Sequence, residues 1–274
     1  MSYPFLKGHG THNDFVVLPD PDGTVHGDLA AERVRALCDR RGGIGGDGVL
    51  RVLKVVEPVE TGDPGAEWFM DYRNADGSIA EMCGNGVRVF GRYLVEAGLA
   101  DGSRPLPVAT RDGIKVLTFA GDEITVDMGV PKVLEETSVA VAGRRRPALH
   151  VEMGNPHAVT FVDALEDAGD LLTQPEYDAA VYPHGVNIEF VVRRGPGHVA
   201  MRVHERGSGE TQSCGTGACA VMVAAALADE PGGRRDVPYR VDLPGGTLTI
   251  TWTADDRIEM TGPAVIVAAG MTEL

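Results

Sequence analysis

Apolar residues in this chain come mostly in short runs that alternate with polar ones, and the runs are separated by glycine- and proline-rich turns. That pattern predicts many strands. Phe5 to Leu18 reads as strand, polar turn and strand. Asp28 then stands as an N-cap for a helix carrying Leu29, Val34, Leu37 and Cys38 on its apolar side. The glycine-rich stretch from Gly42 to Gly48 is too flexible for a regular element and reads as a loop leading into a strand over Val49–Val56. Further strands are expected at Trp68–Tyr72, Leu106–Thr110, Ile114–Phe119 and Ile124–Met128, with a break at Gly129-Val130-Pro131. Beyond it, strands are expected at Leu149–Met153, up to Phe161, and over Asn187–Val192, Val199–His204, Tyr239–Leu243, Thr247–Trp252 and Ile258–Thr261.

Only two stretches carry a strong helical pattern after the first, and both open on the same phrase. Met82-Cys83-Gly84-Asn85-Gly86 precedes Val87, Val89, Phe90, Tyr93 and Leu94; Ser213-Cys214-Gly215-Thr216-Gly217 precedes Ala220, Val221, Val223, Ala224 and Leu227. Asn74 lies nine residues before Cys83 and Glu205 nine before Cys214, each after a strand and a Gly/Ser-rich turn. A looser match sets the segment from His9 to Phe15 against that from Met153 to Val159. The chain therefore reads as an internal duplication of α+β type. Two pseudo-symmetric lobes are expected, each a curved, mostly antiparallel sheet around a central helix, with an active site in the cleft between them. The expected division is 1–125 joined by the tail 265–274, and 126–264.

Charge and composition narrow the functional classes. Net charge is −15 and the acidic residues are spread along the chain, which argues against nucleic acid as a partner. Arg144-Arg145-Arg146 is the densest basic cluster and reads as an exposed turn. With 43% hydrophobic and 24% charged residues and no apolar run long enough to span a bilayer, a soluble cytoplasmic protein without membrane contact is expected. The opening residues from Met1 lack a secretory pattern. Four cysteines, Cys38, Cys83, Cys214 and Cys219, form no disulfide framework and no Cys-x-x-Cys pair, and no metal site is expected.

A glycine-rich turn opening a helix points free N–H groups forward, and a cysteine there lies in the positive end of the helix dipole, which favours its thiolate. A redox pair would normally be close in sequence, and a cysteine hydrolase using His157 or His204 as base would leave the second thiol idle. Symmetric use of both sulfurs points to a different reaction: removal of a proton from one face of a stereocentre and its replacement on the other. Two helix N-termini can supply the donors for the charge that builds on the adjacent carboxylate. The four lysines, Lys7, Lys54, Lys115 and Lys132, occupy no loop suited to a Schiff base, so no cofactor is expected. Cys38 and Cys219 are read as core residues, and Asn13, Asn155 and Asn187 alone as turn formers.

Asn13-Asp14-Phe15, Asn74-Ala75-Asp76-Gly77-Ser78, Met82-Cys83-Gly84-Asn85-Gly86, Gly154-Asn155-Pro156-His157, Glu205-Arg206-Gly207 and Gly209 to Gly215 together resemble the diaminopimelate epimerase family over nearly the whole chain. The resemblance implies interconversion of LL- and meso-2,6-diaminopimelate in lysine and peptidoglycan precursor synthesis, without cofactor, in a homodimer. It implies Cys83 and Cys214 as the acid/base pair. Asn13, Asn74, Gly84, Asn85, Asn155, Asn187, Glu205, Arg206, Gly215 and Thr216 are implied as substrate contacts, and His157 and Glu205 as groups that adjust the thiols. Two positions depart from the pattern: a glutamine found in relatives after the loop aspartate is replaced at Asp47-Gly48, and the tail Val265 to Gly270 lacks a tyrosine. Isomerases of proline, hydroxyproline or histidine are the nearest rivals; a cysteine hydrolase and a non-catalytic binding module are more distant ones.

Overall fold

The computed structural model describes residues 2–55 and 65–274. Met1 and Val56, the end of one expected strand, lie outside them. The chain divides into two units, Met1–Val126 with Gly262–Leu274, and Asp127–Thr261.

In the first unit the strands are β1 (Tyr3–Gly10), β2 (Asn13–Pro19), β3 (Gly48–Lys54), β4 (Trp68–Asn74), β5 (Leu106–Thr110), β6 (Gly113–Ala120) and β7 (Glu123–Asp127). The tail, Val265–Thr272, is a further strand antiparallel to β1. From the tail inward, successive neighbours pair antiparallel, antiparallel, parallel, antiparallel, parallel, antiparallel and antiparallel. Helix α1 (Ala31–Cys38) links β2 to β3, and α2 (Gly84–Glu96) links β4 to β5. The N-cap of α1 is Ala30 without a side-chain bond, so the expected cap at Asp28 is displaced; Leu29 turns instead into the left-handed region and buries its side chain. Val34, Leu37 and Cys38 are buried as their spacing requires.

The second unit holds β8 (Lys132–Val141), β9 (Arg144–Glu152), β10 (Pro156–Phe161), β11 (Glu176–Tyr177), β12 (Asn187–Gly195), β13 (His198–Glu205), β14 (Gly209–Glu210), β15 (Pro238–Leu243), β16 (Gly246–Trp252) and β17 (Ile258–Pro263). From β8 through β9, β10, β12, β13, β15 and β16 to β17, the pairings repeat the sequence of the first unit step for step. Helix α3 (Gly215–Asp229) links β14 to β15. The duplication therefore extends to strand order and direction, with the chain's last strand filling in the first unit the place that β8 fills in the second. Arg144-Arg145-Arg146, expected as a turn, opens β9; the turn is Ala142-Gly143, and Arg146 pairs with Asp167 at 3.0 Å.

The two central helices differ in composition. Helix α3 is apolar all round, with Ala218 through Ala226 buried, as a helix enclosed by its sheet must be. Helix α2 is amphipathic, and its buried side includes Arg88.

The register fixes which residues correspond. The parallel pair β2–β3 begins with Phe15 opposite Gly48, and β10–β12 with His157 opposite Asn187. Phe15 thus matches His157, Gly48 matches Asn187, Asn13 matches Asn155, and Leu50 matches Glu189. The sequence match from His9 is therefore two residues out of step.

Candidate active site

Each central helix starts on its cysteine. Cys83 is the N-cap of α2, with φ −141° and ψ 120°, and its sulfur accepts the Gly86 N–H at 3.4 Å. Cys214 is the N-cap of α3, with φ −116° and ψ 111°, and accepts the Gly217 N–H at 3.3 Å. A sulfur in this position satisfies one of the orphan donors of the first turn and leaves the neighbouring N–H groups directed outward. These N–H groups make each helix start a cradle for a carboxylate.

Around Cys83 the side chains form one connected set. The thiol donates to Asn13 Oδ1 at 3.6 Å, and Asn85 Nδ2 donates to the same oxygen at 3.2 Å. Buried Arg88 donates to Asn85 Oδ1 at 2.9 Å. Asn13 Nδ2 donates to Asp47 Oδ2 at 2.8 Å, and that carboxylate also accepts from Arg40 at 2.7 Å. The glycine-rich loop that carries Asp47 therefore braces Asn13. Burial would raise the Asp14 carboxyl, but hydrogen bonds from Arg40 and Lys7 outweigh it and hold the group well below the usual carboxylate range. Asn74 lies opposite Gly48 in the β3–β4 register and donates to Ser78 Oγ at 3.0 Å. Gly84 is buried at the start of the helix.

Around Cys214 two sets form. Thr216 Oγ1 lies 3.6 Å from the Cys214 sulfur. His157 is fully buried; its Nδ1 lies 2.6 Å from Glu189 Oε1 and its Nε2 lies 2.9 Å from Asn155 Oδ1. Asn187 donates to Pro156 O at 3.2 Å and accepts the Arg206 N–H at 2.9 Å. The exposed Arg206 guanidinium donates to His184 O at 3.1 Å, and Thr211 Oγ1 donates to Glu205 Oε1. Gly215 is buried beneath the cysteine.

The electrostatics of Cys214 oppose the helix-dipole expectation. Burial pushes the thiol well up, and the carboxylates of Glu205 and Glu189 push it further; the hydrogen bonds from Thr216 and Gly217 offset only part of this. Both influences favour the neutral thiol over the thiolate at Cys214.

Three residues with structural claims on this site were not singled out from the sequence: Arg88, Asp47 as a brace, and Glu189. The available signal for Glu189 was a lone carboxylate inside the run Ile188-Glu189-Phe190-Val191, where charge is rarely buried without a partner.

A model of the family described as "Diaminopimelate epimerase" matches residues 5–134 and 149–267. The chain is 58% identical to the diaminopimelate epimerase of Streptomyces coelicolor, over 97% of this chain and 94% of that protein. It is 44% identical to that of Corynebacterium glutamicum strain ATCC 13032, over 100% and 99%. The chain belongs to the diaminopimelate epimerase family. Solved structures share the fold at low identity. A hydroxyproline epimerase from Agrobacterium vitis matches with a TM-score of 0.70 at 17% identity, over 99% of this chain and 92% of that one. A phenazine biosynthesis protein of the PhzF family from Bacillus anthracis matches with a TM-score of 0.72 at 17% identity, over the full length of both chains. Among the described residues of this family member, no helix is long and apolar enough to cross a membrane. No group of three or more His, Cys, Asp or Glu among them is placed to hold a metal ion.

Proposed function

We propose that the chain interconverts LL- and meso-2,6-diaminopimelate by two-base proton transfer at one α-carbon, in the cytoplasm, without a cofactor and as a homodimer. The observation that carries this reading is the paired start of α2 and α3, where a cysteine N-cap and a Gly-x-Gly turn occur twice in a diaminopimelate epimerase family chain. In this reading the two sulfurs act on opposite faces of the substrate. A thiolate on one face takes the α-proton and the thiol on the other returns one; reversing the reaction exchanges their roles.

The α-proton is a weak acid, so charge developing on the adjacent carboxylate must be stabilised. Backbone N–H groups and side chains at Gly84, Asn85, Gly215 and Thr216 are the donors proposed for it, and the loss of one such donor typically costs about 10²–10³ in rate. Arg206 suits a bidentate grip on the distant carboxylate, and Glu205 suits an ammonium group. Asn13, Asn74, Asn155 and Asn187 complete the polar contacts, with His157 beside them.

The test is α-proton exchange in deuterated water. Diaminopimelate should gain deuterium at the α-carbon and proline should not. Exchange with proline alone would assign the chain to another isomerase on this fold.

A further inference from the structure

Glu189 projects from β12 toward the start of α3, on the same strand face as Asn187 two residues earlier. It is fully buried, as is His157, whose Nδ1 lies 2.6 Å away. A carboxylate can only accept there, so the ring donates, and its other nitrogen faces Asn155 Oδ1. The second carboxylate oxygen, Oε2, is buried with no hydrogen-bond partner among the described residues. Burying a carboxylate with one oxygen unpaired is costly and is uncommon in a core that only needs filling. Gly217 gives the reason for its exact place. A Cβ there would lie 2.8 Å from Glu189 Oε1 and 3.1 Å from the Cys214 sulfur, so carboxylate and thiol flank the same bare Cα.

The duplicated half of the molecule supplies a control. At Gly86 a Cβ would meet Leu50 Cδ2 at 3.2 Å and Phe15 Cζ at 3.5 Å. Leu50 and Phe15 are the positions that the register matches to Glu189 and His157. An apolar pair thus fills this position equally well under Cys83, and the fold does not require the polar one.

We propose that Glu189 is a positioning residue of the Cys214 half of the site: it orients the His157 ring toward Asn155 and places a negative charge beside the Cys214 sulfur. The pair adds to the deeper burial of Cys214 and to the Glu205 carboxylate in making the two matched thiols unequal. The kinetic part rests on the epimerase reading above, whereas the thiol part does not require any substrate.

The test uses Glu189→Gln, which keeps the shape and removes the charge, and the double variant His157→Phe with Glu189→Leu, which copies the pair found under Cys83. Iodoacetamide labelling is followed from pH 6 to 10, and modification of Cys214 is read by peptide mass. The midpoint for Cys214 should move to lower pH in both variants. Glu189→Gln should lower kcat about tenfold or more with KM little changed. An unmoved Cys214 midpoint in whichever variant folds, or wild-type kcat in Glu189→Gln, would overturn the proposal. Absence of turnover in the wild-type protein would remove the epimerase reading alone and leave the labelling result standing.

Discussion

The starts of α2 and α3 are copies in backbone and unlike in surroundings. Both cap on a cysteine, and both sulfurs accept the N–H three residues on, at 3.4 and 3.3 Å. Cys83 is partly exposed and donates to Asn13, which also accepts from Asn85, and the apolar Phe15 and Leu50 lie against Gly86 of the same turn. Cys214 is buried with the carboxylates of Glu205 and Glu189 acting on it, and Glu189 in turn pairs with His157. The helix dipole and the cap are common to both, so neither can distinguish the thiols. The differences are the deeper burial of Cys214, the Glu205 carboxylate, and the strand residues beneath each helix start. The two helix starts share one backbone plan, and the two matched positions beneath them carry an apolar pair in one unit and a polar pair in the other.

The largest expected effect comes from removing either sulfur. Cys83→Ala and Cys214→Ala should each lower epimerisation by about 10³-fold or more, because each carries a proton transfer that the other cannot replace. Cys38→Ala, in the core around α1, should leave turnover unchanged and lower only the melting temperature. Equal loss in all three, measured as turnover of diaminopimelate, would mean that instability rather than chemistry is being read.

A smaller effect separates the two glycines. Gly217→Ala forces a methyl between Glu189 and Cys214, within 2.8 and 3.1 Å of them. It should destabilise the protein by about 1–3 kcal/mol and reduce kcat. Gly86→Ala meets Leu50 Cδ2 at 3.2 Å, Cys83 Cβ at 3.3 Å and Phe15 Cζ at 3.5 Å, none of them under 3.0 Å; the end of the Leu50 side chain can yield, so this variant should cost less on both counts. Denaturant unfolding and turnover of the two variants, side by side, check the order.

The smallest effect lies away from the site and concerns acid stability. Burial pushes His26 down to about 4, with Arg33 contributing in the same direction. The ring is neutral in the folded unit, whereas the unfolded chain takes up a proton below about pH 6.5. Its contribution to stability is therefore full above that pH and is lost as the pH falls toward 4. Calorimetry of His26→Phe over this window should show a weaker decline of melting temperature than the wild type. A parallel decline would place acid sensitivity elsewhere.

Much of this was legible in the sequence because it depends on local spacing. The cysteine phrases located both helix starts, and alternation located strands such as Leu106–Thr110, observed with the same bounds. Strand β8 escaped because Lys132 to Thr137 is largely polar and exposed, and pairing with β9 rather than apolar alternation holds it. The Asp28 cap failed because Leu29 turns to reach the core first. Within the site, the sequence gives residue types but not the register that sets Leu50 against Glu189. Nor could it show that burial and two carboxylates raise the Cys214 thiol against its hydrogen bonds from Thr216 and Gly217, since that balance depends on neighbours far along the chain.

The most direct test of two thiols serving one carbon follows the first turnover of diaminopimelate in deuterated water. With a separate base on each face, the product diastereomer should carry solvent deuterium at the inverted carbon while the remaining substrate keeps its protium. Deuterium entering the remaining substrate as fast as the product, or a product that retains the original protium, would contradict the account.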